Sequence, residues 1–142
     1  MLSYRSINLL IEKVNKSYWW HVVPADPTAY EKRGKFFAST YLQASFYGKP
    51  EHGPERVSIQ NPLCGSSEEE ILKELFPANH MELYNQVLDE GNGWYKRRIN
   101  LDSKISRSAK RNGYDSIVLI CSNGKNSLEK NRKPRSIELN LL

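Results

Sequence analysis

The chain has 142 residues, with 39% apolar and 11% aromatic content and a formal charge of +5. That length suits one domain, and so many aromatic residues argue against a disordered chain. The basic excess is one-sided: residues 1–95 hold 9 Lys and Arg against 12 Asp and Glu, whereas residues 96–142 hold 12 against 4.

Leu2, Ile7, Leu10, Ile11 and Val14 recur at helical spacing and predict an amphipathic helix over 4–16. Arg5, Asn8, Glu12 and Lys13 interrupt that stretch, so it has the run of neither a signal peptide nor a membrane span. "SYWWHVVP" predicts a strand near 18–23, and a short helix over 29–32 leads through Gly34 to a strand at 35–38. Ser39 or Thr40 can cap the next helix, which ends at Tyr47 before Gly48. In this corner Phe37 and Phe46 are expected in the core, with Phe36 and Tyr47 lining a pocket.

"PERVSIQNPL" alternates and predicts one strand that Pro62 ends. "GSSEEEILKELF" carries two overlapping capping boxes, Ser66 to Glu69 and Ser67 to Glu70, and predicts a helix. A second helix is expected over 79–89 with Met81, Tyr84, Val87 and Leu88 inward, and a third over 102–112. Together these form a helical insertion at about 66–112. "DSIVLIC" reads as a buried strand, and "SIELNLL" as a final strand with Ile137, Leu139 and Leu141 on one face and Glu138 and Asn140 on the other. The segment between them, including 122–134, is a polar, basic loop.

Several chemistries lack their motifs. "GNGWYK" has Lys96 where a dinucleotide fingerprint needs its third glycine, and His21, His52 and His80 show no metal-ligand spacing. Cys64 and Cys121 form no CxxC pair, which suits a reduced, cytoplasmic setting better than a disulfide scaffold.

Three features remain in chain order: His21 in a strand, the Phe36-Phe37 strand leading to the Tyr47 helix, and Glu138 in the last strand. "RGKFFASTYLQASFY" resembles the corresponding motif of the ADP-ribosyltransferase superfamily, in the His-Tyr-Glu branch that includes the poly(ADP-ribose) polymerase-like and diphtheria-toxin-like members. "VSIQNPL", "GYDSIVLI" and "SIELNLL" resemble further strands of its phage and mobile-element members. The resemblance spans roughly residues 21–142 and is weakest over 66–112.

It implies an α+β fold, a single domain of two split antiparallel sheets around an NAD cleft with helices at the flanks. NAD would be the co-substrate. His21 would bind its adenosine ribose, Phe36 and Tyr47 would stack on the nicotinamide, and Glu138 would be the catalytic carboxylate. Val22 stands where the family has glycine, and Ala44 where it has a serine, with Ser45 one place on. Val22, Ser39 and Ser45 complete the implied cofactor set, and no metal is implied.

The implied activity is mono-ADP-ribosyl transfer to a macromolecular target, protein rather than nucleic acid, by a toxin, effector or phage counter-defence protein. It would act in the cytoplasm where it is made or in that of a target cell, with residues 96–135 docking an acidic surface and no membrane involved. The alternative is a basic nucleic-acid- or protein-binding module. In it, residues 94–135, where Trp94 and Tyr95 adjoin Lys96, Arg97 and Arg98, bind a partner while the pocket is a remnant.

Overall fold

The computed structural model describes residues 3–26, 28–50, 52–120 and 137–142. The Cys121 end of the predicted strand "DSIVLIC", the loop at 122–134 and the docking stretch beyond residue 120 lie outside them.

Helix α1 (Tyr4–Lys16) is opened by the Ser3 side chain, which accepts from the Ser6 N–H, and buries Leu10 and Val14. Strand β1 (Tyr18–His21), helix α2 (Ala29–Arg33), strand β2 (Lys35–Ala38) and helix α3 (Tyr41–Ser45) follow. Thr40, rather than Ser39, caps α3 by accepting from the Gln43 N–H. The next strand departs from the prediction. It splits into β3 (Glu55–Arg56) and β4 (Pro62–Gly65), so Pro62 opens a strand instead of ending one. The residues between still bury Val57 and Ile59, and the Asn15 amide satisfies Ile59 by accepting its N–H and donating to its carbonyl. Pro62 is tolerated because β4 lies at a sheet edge, where a missing N–H breaks no ladder.

Helix α4 (Glu68–Leu75) uses the second capping box: Ser67 accepts from the Glu70 N–H while the Glu70 carboxylate reaches back to Ser66. Helix α5 (His80–Leu88) buries Leu83 and Val87, whereas Met81 and Leu88 are exposed, contrary to expectation. Helix α6 (Trp94–Arg111) begins eight residues before the predicted third helix, straight after Gly93. Strands β5 (Ser116–Ile120) and β6 (Ile137–Leu141) complete the fold.

The architecture is mixed α+β, but its strands form one six-stranded sheet in the order β3-β1-β2-β6-β5-β4, not two split antiparallel sheets. All pairs are antiparallel except β4–β5, which is parallel. A parallel pair needs a long crossover, and α4, α5 and α6 supply it. The expected helical insertion is therefore a connection that the sheet requires.

Register fixes which side chains share a face. One row across the sheet runs Trp20, Ala38, Glu138, Leu119; the next same-face row runs Phe36, Asn140, Ile117, Leu63. The opposite face carries His21, Phe37, Leu139, Val118 and Cys64 in one row. That second face packs with α1 into a core that includes Leu10, Val14, Trp19, Phe37, Val118 and Leu139. The first face is covered by α4–α6 around Leu63, Ile117, Leu72, Leu101 and Ile105. Its β1–β2 end carries α3, which leaves Phe36, Tyr47 and Glu138 exposed.

Candidate functional site

The exposed end of that first face gathers the chemistry. Phe36 lies opposite Asn140 and Glu138 opposite Ala38, so Phe36 and Glu138 are diagonal neighbours on one face, with a usual spacing of about 7–8 Å. Tyr47, just past α3, donates its hydroxyl to Glu138 Oε1 at 3.4 Å across a sequence separation of 91 residues. Burial of that hydroxyl, then the Glu138 charge and hydrogen bond, raise its pKa, so Tyr47 remains a donor at physiological pH. Phe36 is 45% and Tyr47 70% exposed. Phe46, expected in the core, is exposed instead: α3 ends at Ser45 and Phe46 sits at its C-terminal boundary.

A chain of ion pairs forms a wall near Tyr47. Arg98 of α6 is paired with Glu68 of α4 and with Asp102 one turn on. Asp102 also accepts from Arg33 Nε at 2.9 Å and pairs with its Nη2 at 2.6 Å. Burial by itself would lower the Arg98 pKa, but the Glu68 hydrogen bond and the Asp102 charge outweigh it and raise it. Arg33 then extends over Phe36, its guanidinium carbon 5.7 Å from the ring centroid. Asn140 holds the base of this arm by donating to the Arg33 carbonyl at 3.0 Å. Trp20 adds another aromatic, edge-on to Tyr41 at 5.2 Å.

The other sequence-predicted residues are placed less directly. His21 lies on the opposite face. Its Nδ1–H donates to the Phe36 carbonyl at 2.6 Å, and Nε2 faces the Tyr30 hydroxyl at 2.8 Å. Desolvation lowers its pKa, with Lys35 contributing, although the Phe36 and Glu55 contacts oppose the shift. In this arrangement His21 is a neutral pin between β1, β2 and α2, and contact with a ribose would require Tyr30 to move. Ser39 is buried and donates to Gln43 Oε1 at 2.7 Å, while Ser45 donates to the Leu42 carbonyl at 2.6 Å. Val22 is half-buried beside Gly48, where an added Cβ would come 3.0 Å from Val22 Cγ1. Cys64 is not a nucleophile in this setting, because burial pushes its thiol to about 12.

Sequence reasoning missed Trp20, Arg33, Asp102 and Tyr30, and assigned Arg98 to a different role. A possible signal was the i, i+4 pair Arg98 and Asp102, which marks a helix extending before residue 102. Among the described residues no group of three or more metal-ligating side chains occurs, and no helix is long and apolar enough to cross a membrane. No protein-family model, curated protein or solved structure matches the chain.

The site thus combines an exposed aromatic ring with an arginine over it, a carboxylate and a phenol held in its protonated form. It can receive a flat ring and set a fixed negative charge beside it.

Proposed function

We propose that the chain is a mono-ADP-ribosyltransferase that uses NAD as co-substrate and transfers ADP-ribose to a macromolecular target. The observation that carries this reading is the meeting of Tyr47 and Glu138, 91 residues apart in the chain, beside Phe36 on one open face. Their order also matches the resemblance in the sequence.

The chemistry follows from that placement. Breaking the bond between the nicotinamide nitrogen and ribose C1′ sends the electron pair to the ring, which leaves as neutral nicotinamide. Positive charge then develops on the sugar, and a nucleophile of the target bonds to C1′ as it loses its proton. Glu138 stabilises the charge on the sugar, and Tyr47 orients the carboxylate. Phe36 and Tyr47 offer faces to the cationic ring, a contact of about 0.5–2 kcal/mol. The target is a macromolecule, a protein in preference to a nucleic acid, as for a toxin, effector or phage counter-defence protein acting in a cytoplasm.

The competing binding-module reading loses support at Trp94, Arg97 and Arg98, which are engaged internally. Trp94 Nε1 donates to the Val87 carbonyl, Arg97 donates to the carbonyls of Gln86, Asp89 and Asn92, and Arg98 is ion-paired. Tyr95 and Lys96, with Lys104, Arg107, Lys110 and Arg111 further along α6, remain exposed, and residues 121–135 of that stretch lie outside the described residues.

The test is nicotinamide release from NAD by wild type and Glu138→Gln, with and without host lysate, followed by mass spectrometry for added ADP-ribose. Loss of one preorganised charge-stabilising group predicts a rate about 10²–10³-fold lower. A wild type that neither consumes NAD nor labels a target refutes the proposal.

A further inference from the structure

We infer that the outward face of α6 is a docking surface for the sugar-phosphate backbone of a double-stranded nucleic acid. This goes beyond the proposed function and does not rest on it, because the face shares no residue with Phe36, Tyr47 and Glu138.

Helix α6 holds seven Lys and Arg against one acid, a net +6, whereas the whole chain is +5, so everything outside this helix sums to −1. Two of the seven are used inside the fold, Arg97 on backbone carbonyls and Arg98 on Glu68 and Asp102. At 3.6 residues per turn the other five, Lys96, Lys104, Arg107, Lys110 and Arg111, fall within an arc of about 120°. All five are exposed, and Leu101, Ile105 and Ala109 lie buried on the opposite side. Asn100 and Ser103 fill the gaps in the arc, and no acid or apolar residue interrupts it. From Lys96 to Arg111 the stripe is about 22 Å long.

Local energetics do not account for this arrangement. The ion pairs among the described residues use Lys16, Arg33, Lys35 and Arg98, none of them on the stripe. Arg107 bonds through Nε to the Ser103 carbonyl at 3.4 Å and meets no acid. Helix α1 uses the i, i+4 spacing to pair Lys16 with Glu12. Arg107 instead has Lys104, Lys110 and Arg111 three or four residues away, where like charges repel. The helix dipole favours Lys110 and Arg111 in the last turn but disfavours Lys96 in the first. A polyanion lying along the stripe relieves both.

The composition of the stripe selects the class of polyanion. Protein interfaces centre on apolar or aromatic anchors and are depleted in lysine; this face has no such anchor and three lysines. Single strands need aromatic side chains to stack on, and Tyr95, though exposed, lies outside the arc. Lys and Arg with interspersed Asn and Ser are the side chains that contact phosphates. A row about 22 Å long spans about six backbone charges of one duplex strand, at about 3.4 Å per charge.

The experiment measures binding of a short mixed-sequence DNA duplex, and separately of a polyglutamate peptide, to the full chain by fluorescence anisotropy across a salt series. The variants are wild type, Lys104→Gln/Arg107→Gln and, as a control removing the same charge from α1, Arg5→Gln/Lys16→Gln, with a melting curve for each. Five phosphate contacts predict a slope of log K against log salt of about −4.5 or steeper, a loss of about 500-fold or more between about 50 and 200 mM salt. Lys104→Gln/Arg107→Gln should flatten that slope by about 2, and the control should leave it unchanged. Lys96→Gln/Lys110→Gln repeats the test at other positions of the stripe should the first pair not fold. Equal slopes in the stripe and control variants overturn the assignment, because the general field of the protein would then be responsible. Tighter binding of polyglutamate than of the duplex gives the face to an acidic protein and overturns it, as does a wild type that leaves the duplex unbound.

Discussion

Replacing Asp102 with alanine tests the wall of the site. The carboxylate is 10% exposed and bridges Arg33, at 26%, and Arg98, at 19%. Removing one partner of a buried ion pair costs about 3–5 kcal/mol, because the remaining charge stays desolvated. Here Arg98 keeps Glu68, and Arg33 is close enough to water to recover some hydration. The expected loss is therefore about 2–3 kcal/mol, or about 5–10 °C in melting temperature for a domain of this size. The assay is thermal and urea unfolding of wild type, Asp102→Ala, Arg33→Met and the double variant. Because Arg33 and Asp102 are in direct contact, the double variant should be less destabilised than the two single losses combined, by about 1 kcal/mol or more. Strict additivity, or a melting shift under about 2 °C for Asp102→Ala, would refute a coupled chain from α4 to Phe36.

Two further predictions concern the platform and its support. Gly34 has φ +81°, and a Cβ there would lie 2.3 Å from Asn140 Oδ1 and 2.6 Å from the Leu141 carbonyl; Gly34→Ala should cost at least about 2 kcal/mol, and a melting curve unchanged from wild type would contradict the placement. His21 has a folded-state pKa below its ordinary 6.5, so the unfolded chain binds more protons below that pH. Its stabilising contribution is present above about pH 6.5 and is lost on acidification through the folded value. Unfolding measured between pH 5 and 8 should show this extra fall in wild type but not in His21→Asn; equal slopes would show that His21 is not held neutral.

Local physics made much of the chain legible. Strand 35–38, the Ser67 cap and α1 each announce themselves through alternation, capping chemistry or an apolar stripe. The alternation around Val57 and Ile59 was misleading, because their burial depends on Asn15 bonding to loop backbone rather than on a continuous strand ladder. The start of α6 was obscured because Arg98 and Asp102 occupy packed positions as an ion pair, where a periodicity argument looks for apolar residues.

For the candidate site, the sequence by itself determined the residue types and their order: Phe36 and Tyr47 at one strand-to-helix corner, and Glu138 in a closing strand. Only the tertiary structure decided which of them meet. The pairing of β2 with β6 puts Phe36 and Glu138 on one face while the same period of two turns His21 to the other. The parallel β4–β5 pair requires the helical crossover whose last helix brings Arg98 and Asp102 to Arg33. Such contacts join positions 30–107 residues apart, and no local pattern encodes them because they arise from sheet register and helix packing.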